Sequence, residues 1–299
     1  MSRITANGLE LDYEAWGHGE PVLLISGLGA QRIRWPQGLI EGLVAKGFKV
    51  IAFDNRDVGL SEKCEAAGPP DMAAVIKAVT SGGKAPVSYI LSDMAADAAG
   101  LLDALGEGPA HIVGASMGGM IAQLVAADHP GHTRSLTSIM STTGHPDLPR
   151  AKPEAMATLN ERGPAPEEDF EGFLDHQVRA ARVNGSPAYP APEAELRDRA
   201  RAYYQRCFYP VGFARQYAAV MASGHRRDKV AGITAPSLVI HGDADPLVTV
   251  EGGIDTAKHI PGCDLKIIPG MGHDLPAELI AGFVEAIAGN AARAGAKAL

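Results

Sequence analysis

The sequence predicts an α/β fold built on a mostly parallel sheet, and three observations carry that reading. Short apolar runs end in glycine, serine, threonine or aspartate: "PVLLISG" (21–27), "KVIAFD" (49–54), "AHIVGAS" (110–116), "SLTSIMST" (135–142), "APSLVIHG" (235–242) and "DLKIIPG" (264–270). The runs are continuous rather than alternating, the pattern of strands covered on both faces. Segments of helical length and period separate them, and strand alternating with helix marks a layered α/β architecture.

In chain order, "ITANGLELDYEAWG" reads as an N-terminal hairpin, because alternating residues surround the Asn7-Gly8 turn signal. A helical pattern near 36–46 follows the first run. The second leads into "DNRDVGLSEK" (54–63), where Asp54, Arg56 and Gly59 are expected to be structural, Arg56 pairing with a carboxylate and Gly59 permitting a turn. An excursion rich in alanine, glycine and proline, residues 64–88, precedes the helix of "SYILSDMAADAAGLLDALG"; its composition fits mobility as well as a role at the entrance. The third run opens directly into "MGGMIAQLVAADHP", and a final helical pattern covers 276–294.

The rhythm breaks once. Between 144 and 232 lie helical patterns, many prolines and the aromatic stretch "YYQRCFYPVGFARQYAAVM", with no strand pattern. The expected organisation is a core domain of residues 1–143 and 233–299 with an inserted helical cap, 144–232, over the carboxyl ends of the strands, where open α/β sheets bind ligands. Tyr203, Tyr204, Phe208, Phe213 and Tyr217 recur at roughly helical spacing, and most should pack the insert onto the sheet. Trp35, Tyr204, Phe208, Phe213 and Tyr217 are the candidates for a substrate pocket.

The net charge of −8 argues against a nucleic-acid or anionic-membrane partner, which would want a basic face. No stretch approaches the ~18 apolar residues of a membrane span, and the N-terminus carries no apolar signal segment. The three cysteines, Cys64, Cys207 and Cys263, form no metal-ligand spacing or disulfide framework and are expected to be buried thiols in a cytoplasmic protein.

Chemistry is carried first by Gly114-x-Ser116-x-Gly118. With 35 glycines in the chain the spacing alone is weak. Its context is not: the serine follows a buried-strand pattern and precedes a helix with small residues in its first turn. A tight strand-to-helix turn needs glycine at 114 and 118 and would leave the Ser116 hydroxyl above the sheet, at the positive end of a helix. A serine hydroxyl needs a base, and the base an orienting carboxylate. Of ten histidines, His273 in "PGMGHDLP" follows the last strand on the same carboxyl edge as Ser116. His241 reads as a strand-end residue with a satisfied ring, His111 starts a strand at the opposite edge, and His129, His132 and His145 lie near helix or loop ends. "HGDADPLV" offers Asp243 and Asp245; Pro246 favours Asp245 by stopping the strand, leaving Asp243 to cap the turn on backbone amides. Asp274 is expected to cap a helix. The order Ser116, Asp245, His273 is nucleophile, acid, base. Backbone N–H groups of Met117 and of Leu28, in the "SGLGA" loop, would hold an oxyanion.

Together "PVLLISGLGA", "KVIAFDNRDVGLSEK", "HIVGASMGGMIAQ", "LVIHGDADPLV" and "PGMGHDLP" resemble the α/β-hydrolase superfamily in order and spacing over nearly the whole chain. The insert, in "FYPVGFARQYAAVMASGHRR", is similar to that of bacterial esterases related to aclacinomycin methylesterase. The resemblance implies an eight-stranded, mostly parallel sheet with a helical cap, and a hydrolase needing no cofactor. One departure is Ser26-Gly27, where the family often has His-Gly. Similar epoxide hydrolases and haloalkane dehalogenases carry aspartate at the nucleophile position, so serine implies an acyl-enzyme. The expectation is a carboxylesterase acting on a small to medium, largely apolar ester, failing at acid pH because the base must be neutral. The alternatives are a haloperoxidase-type perhydrolase without cofactor, a carbon–carbon hydrolase, or a ligand-binding protein on the same fold.

Overall fold

The computed structural model describes residues 2–296. Strands β1 (Ser2–Ala6), β2 (Leu9–Trp16), β3 (Glu20–Ile25), β4 (Phe48–Phe53), β5 (Ala110–Ala115), β6 (Thr133–Ile139), β7 (Ser237–Gly242) and β8 (Asp264–Ile268) form one eight-stranded sheet, ordered β1-β2-β4-β3-β5-β6-β7-β8. The first two make the expected hairpin: Asn7 and Gly8 both take positive φ, 49° and 77°, as a two-residue turn between twisted strands requires. β2 pairs antiparallel with β4, and from β4 onward every neighbouring pair is parallel.

The helices are α1 (Gln37–Ala45), α2 (Met72–Thr80), α3 (Leu91–Leu105), α4 (Met117–Asp128), α5 (Pro153–Asn160), α6 (Phe170–Asn184), α7 (Glu193–Arg206), α8 (Pro210–Ala222), α9 (Arg227–Val230), α10 (Val250–His259) and α11 (Ile280–Ala296). Alternation along the strands sends side chains into two hydrophobic layers. Leu23, Ile25, Ile51, Phe53 and Ile112 pack with α3 and α4 on one face. Val22, Leu24, Val50, Ala52 and Val113 pack with Leu39, Leu43, Phe283 and Ile287 of α1 and α11 on the other. Continuous apolar runs are therefore what the central strands need, and β3 and β7 are buried almost throughout. β8 departs from that expectation. Its run is similar, but it lies at the sheet edge, and Leu265 and Ile267 are 40% and 36% exposed. The three cysteines are half-buried free thiols rather than fully buried ones.

Between β6 and β7 the chain is helical, α5 to α9, with no strand among the described residues of this interval. α6 packs on α5 and α7, while α8 packs on α2. The 64–88 excursion thus contains a helix laid against the insert, and Gly68 O accepts from Arg215 Nη1 at 2.9 Å. Buried ion pairs join insert and sheet. Arg206 reaches Asp12 at 2.6 Å and Asp54 at 2.7 Å, and Arg215 meets Asp57 through two bonds of 2.6 and 2.8 Å. Arg56 pairs with Asp97 through two bonds of 2.6 Å, and a Cβ on Gly59 would fall 2.0 Å from Asp54 Oδ2, so this segment has the structural work expected of it.

Candidate active site

Because β3, β5, β7 and β8 run parallel, the loops that leave their carboxyl ends gather along one edge of the sheet. Ser116 leaves β5 and is the N-cap of α4, with φ 57° and ψ −122°. Positive φ costs a non-glycine residue about 1–3 kcal/mol, which surrounding structure must offset. Here Ser116 N–H donates to Ile139 O, and Ser116 O accepts from Gly119 N–H and Ser141 Oγ–H. A Cβ on Gly114 would sit 2.0 Å from Gly118 O, and one on Gly118 would sit 1.9 Å from Ile25 O. The turn is thus closed to any residue but glycine at both positions, against the helix start in one case and β3 in the other.

Asp245 and His273 arrive from the loops after β7 and β8. Asp245 Oδ1 accepts from the N–H groups of Leu247 and Val248, both at 2.9 Å, and Oδ2 faces the imidazole. His273 Nδ1 lies 2.7 Å from Asp245 Oδ2, and Nε2 lies 2.9 Å from Ser116 Oγ. An ionised carboxylate only accepts, so Nδ1 carries the proton and neutral Nε2 accepts from Ser116 Oγ–H. Burial alone would raise the Asp245 carboxyl. His273, His241 and the Val248 amide outweigh it and hold the group well below the usual carboxylate range. The three residues selected from the sequence stand in one hydrogen-bonded line.

The β3 loop lies alongside. A Cβ on Gly27 would come within 3.2 Å of Ser116 Cβ, and the next residue is Leu28. Among the described residues, neither the Leu28 nor the Met117 amide has a protein acceptor. Asn55 Nδ2–H donates to Ser26 O at 2.9 Å, while the Ser26 hydroxyl is buried without a partner, so at the Ser26-Gly27 departure the loop is fixed through its carbonyl. Gln216 of α8, fully buried, accepts from Gly29 N–H at 2.8 Å and donates to Arg56 O at 2.7 Å. Asn55 and Gln216 escaped the sequence reading. Asn55 at least lay in the charged run after β4, whereas Gln216 carried no local signal.

The aromatic candidates divide. Phe213 presses on the β3 loop, where a Cβ on Gly29 would meet its ring at 2.6 Å, and it stacks with Tyr217, whose hydroxyl reaches Met156 Sδ at 3.7 Å. Tyr204 and Phe208 belong to a ring cluster with Phe170 and Phe173, so they pack the insert against itself. Trp35 is buried in the hydrophobic layer beside α1.

Asp274 and His241 depart from expectation, whereas Asp243 and His111 follow it. Asp274 caps no helix and instead accepts from the Ser186 hydroxyl. His241 is satisfied at one nitrogen only: Nε2–H donates to Val248 O at 2.8 Å, while Nδ1 is buried without a partner because the chain at Gly253 closes over it. Asp243 does serve backbone, accepting from Gly270 N–H at 2.7 Å. His111 bonds Ser135 and Glu20, away from this edge. No group of histidine, cysteine and acidic side chains suited to a metal ion occurs among the described residues, and none of the described helices is long and apolar enough to cross a membrane.

Comparison with known proteins agrees with this fold. Residues 20–278 match the model of the alpha/beta hydrolase fold family. The rhodomycin D methylesterase DnrP of Streptomyces peucetius is 28% identical over 86% of this chain and 85% of its own. A non-heme haloperoxidase of Rhodococcus erythropolis is 25% identical over 92% of this chain and 93% of its own. Among solved structures, a meta-cleavage product hydrolase (CumD) of Pseudomonas fluorescens IP01 superposes with a TM-score of 0.76 over 98% of both chains at 19% identity, a likeness of fold. With a match spanning most of its length and a sheet of this order, the chain belongs to the α/β-hydrolase fold family.

Proposed function

We propose that this hydrolase cleaves carboxylic esters through an acyl-enzyme on Ser116. The observation that carries the reading is the unbroken line Ser116 Oγ, His273 Nε2, His273 Nδ1, Asp245 Oδ2, with steps of 2.9 and 2.7 Å across the inter-residue bonds. Residues 144–232 act as a cap over a core of 1–143 and 233–299, of which residues 1 and 297–299 lie outside the described residues. As Ser116 Oγ attacks the ester carbonyl, its proton passes to His273 Nε2. The amides of Leu28 and Met117, the latter at the positive end of α4, receive the oxyanion. His273 returns the proton to the departing alcohol. It then takes one from water, whose oxygen attacks the acyl carbon, and gives it to Ser116 Oγ as the bond to the acyl group breaks and the acid leaves.

Phe213 packs on the β3 loop and stacks with Tyr217, which meets Met156, and on this reading these three are the apolar lining of the approach for a small to medium apolar ester. The methylesterase likeness over most of the chain also favours an ester. A panel of p-nitrophenyl esters, with and without peroxide, together with a vinylogous diketone, tests the choice. Ester turnover independent of peroxide should dominate. Ser116→Ala should lower kcat about 10⁶-fold, the loss seen when a triad nucleophile is removed. A Ser116→Ala protein that kept most of its esterase activity would end this reading.

A further inference from the structure

The base loop is built against the insert, not only against the sheet. His273 N–H donates to Asn184 O at 2.6 Å, and Ala188 N–H donates to Gly270 O at 3.2 Å. The approach is tight: a Cβ on Gly272 would lie 2.3 Å from Gly185 O, and one on Gly270 would lie 2.4 Å from Ala188 Cβ. At the centre is Ser186, just beyond α6 and 2% exposed. Its Oγ accepts from Gly272 N–H at 2.8 Å and donates to the Asp274 carboxylate. Those two partners flank His273. A buried hydroxyl that spends its donor and an acceptor site on the neighbours of one imidazole constrains that ring from both sides along the chain.

We propose that Ser186 is a positioning residue for His273: by holding Gly272 and Asp274 it sets the loop so that Nε2 faces Ser116 Oγ while Nδ1 faces Asp245. The inference rests on the reading of Ser116, Asp245 and His273 as a triad. The imidazole is held at both nitrogens, so a small rotation of its loop lengthens one bond or the other, and misplacement of a reacting group by 1 Å can cost about 10² in rate. Because Ser186 belongs to the insert, a displacement of the α6 end is transmitted to the base through this hydroxyl.

The test compares wild type with Ser186→Ala, Asp274→Ala and the double variant. The readouts are p-nitrophenyl butyrate kinetics, the rate of fluorophosphonate labelling, the melting temperature and the downfield Nδ1–H proton resonance of the histidine. Folded Ser186→Ala should lose tenfold or more in kcat with KM within twofold, label more slowly by a similar factor, and show that resonance displaced or broadened. The double variant should be no worse than Ser186→Ala alone, since Ser186→Ala already cuts the link that Asp274→Ala removes. If Ser186→Ala does not fold, Asp274→Ala carries the test, with kcat lowered and KM held. A folded variant with wild-type kcat and an unmoved resonance would overturn the proposal, as would additive losses in the double variant. Should wild type turn over no ester while Ser186→Ala still displaces the resonance, the ester reading fails and the positioning role stands.

Discussion

Asp245 lies wholly inside the protein and still keeps its charge, because each oxygen has its own partners: two backbone N–H groups on Oδ1 and the imidazole on Oδ2. A neutral amide in its place could keep the Oδ1 contacts but would present either a second acceptor of different geometry or a donor to Nδ1, favouring the wrong tautomer. Asp245→Asn should therefore lower kcat about 10⁴-fold with the fold intact, read by steady-state kinetics beside a circular dichroism spectrum. Its effect on stability has a defined sign. The folded carboxyl sits below the ordinary range and the unfolded one does not, so ionisation adds stability that is complete above about pH 4 and shrinks as pH falls toward the folded value. The melting temperatures of wild type and Asp245→Asn should thus converge as pH falls below about 4. A gap that widened on acidification would contradict the assignment of the charge.

At the scale of the element, α8 is both a packing helix and a brace. It buries Gly212, Arg215, Gln216, Ala218 and Ala219, and through Gln216 it holds Gly29 N–H, one residue past the proposed oxyanion donor. Gln216→Leu removes that acceptor and leaves the Arg56 carbonyl without its donor, at about 1–3 kcal/mol for each buried group left unpaired. The expected outcome is a folded enzyme of lower melting temperature, with kcat reduced about 10-fold or more and KM changed less, since the transition-state oxyanion is what the loop receives. Unchanged kcat in a folded Gln216→Leu variant would show that the loop holds itself. What was legible in the sequence follows from the same physics. The strands, Ser116, Asp245 and His273 announce themselves locally, through an apolar run ended by a glycine-bearing loop. Gln216, Asn55 and Ser186 act on backbone groups of segments far away in the chain, and no pattern around them encodes which carbonyl or amide will arrive. β8 shows the complementary limit: an apolar run marks a strand, but only the order of the sheet decides that its outer face stays open.

Across the whole molecule, the insert is bound to the core unevenly. Its α7–α8 end is held by Arg206 on Asp12 and Asp54, by Arg215 on Asp57, and by Gln31, whose Nε2 donates to Tyr203 O and Cys207 O, both at 2.9 Å. These carboxylates are fully buried; Asp12 would keep Arg32, but parting Asp57 from Arg215 would leave an uncompensated buried charge at about 3–5 kcal/mol. The α6 end is tied to the base loop through Asn184, Ser186 and Ala188, and the α5 segment is the lighter one. Among the residues of α5 only Ala155 is buried; Thr158 Oγ accepts from Asn184 Nδ2–H and Met156 meets Tyr217, both within the insert, and beside the helix one backbone bond from Lys152 N–H to Pro246 O reaches the core. Any opening that admits substrate should therefore swing about the α7–α8 end, with α5 moving first. Hydrogen exchange checks this directly. Amides in α8 should exchange only with global unfolding, whereas those in α5 should exchange through local opening, about a hundredfold faster or more. An irreversible fluorophosphonate on Ser116 should slow α5 and leave α8 as it was, since a ligand that favours the closed insert suppresses only the openings that release it. Equal protection of the two helices would mean that the insert opens as one rigid piece, which its buried ion pairs should resist.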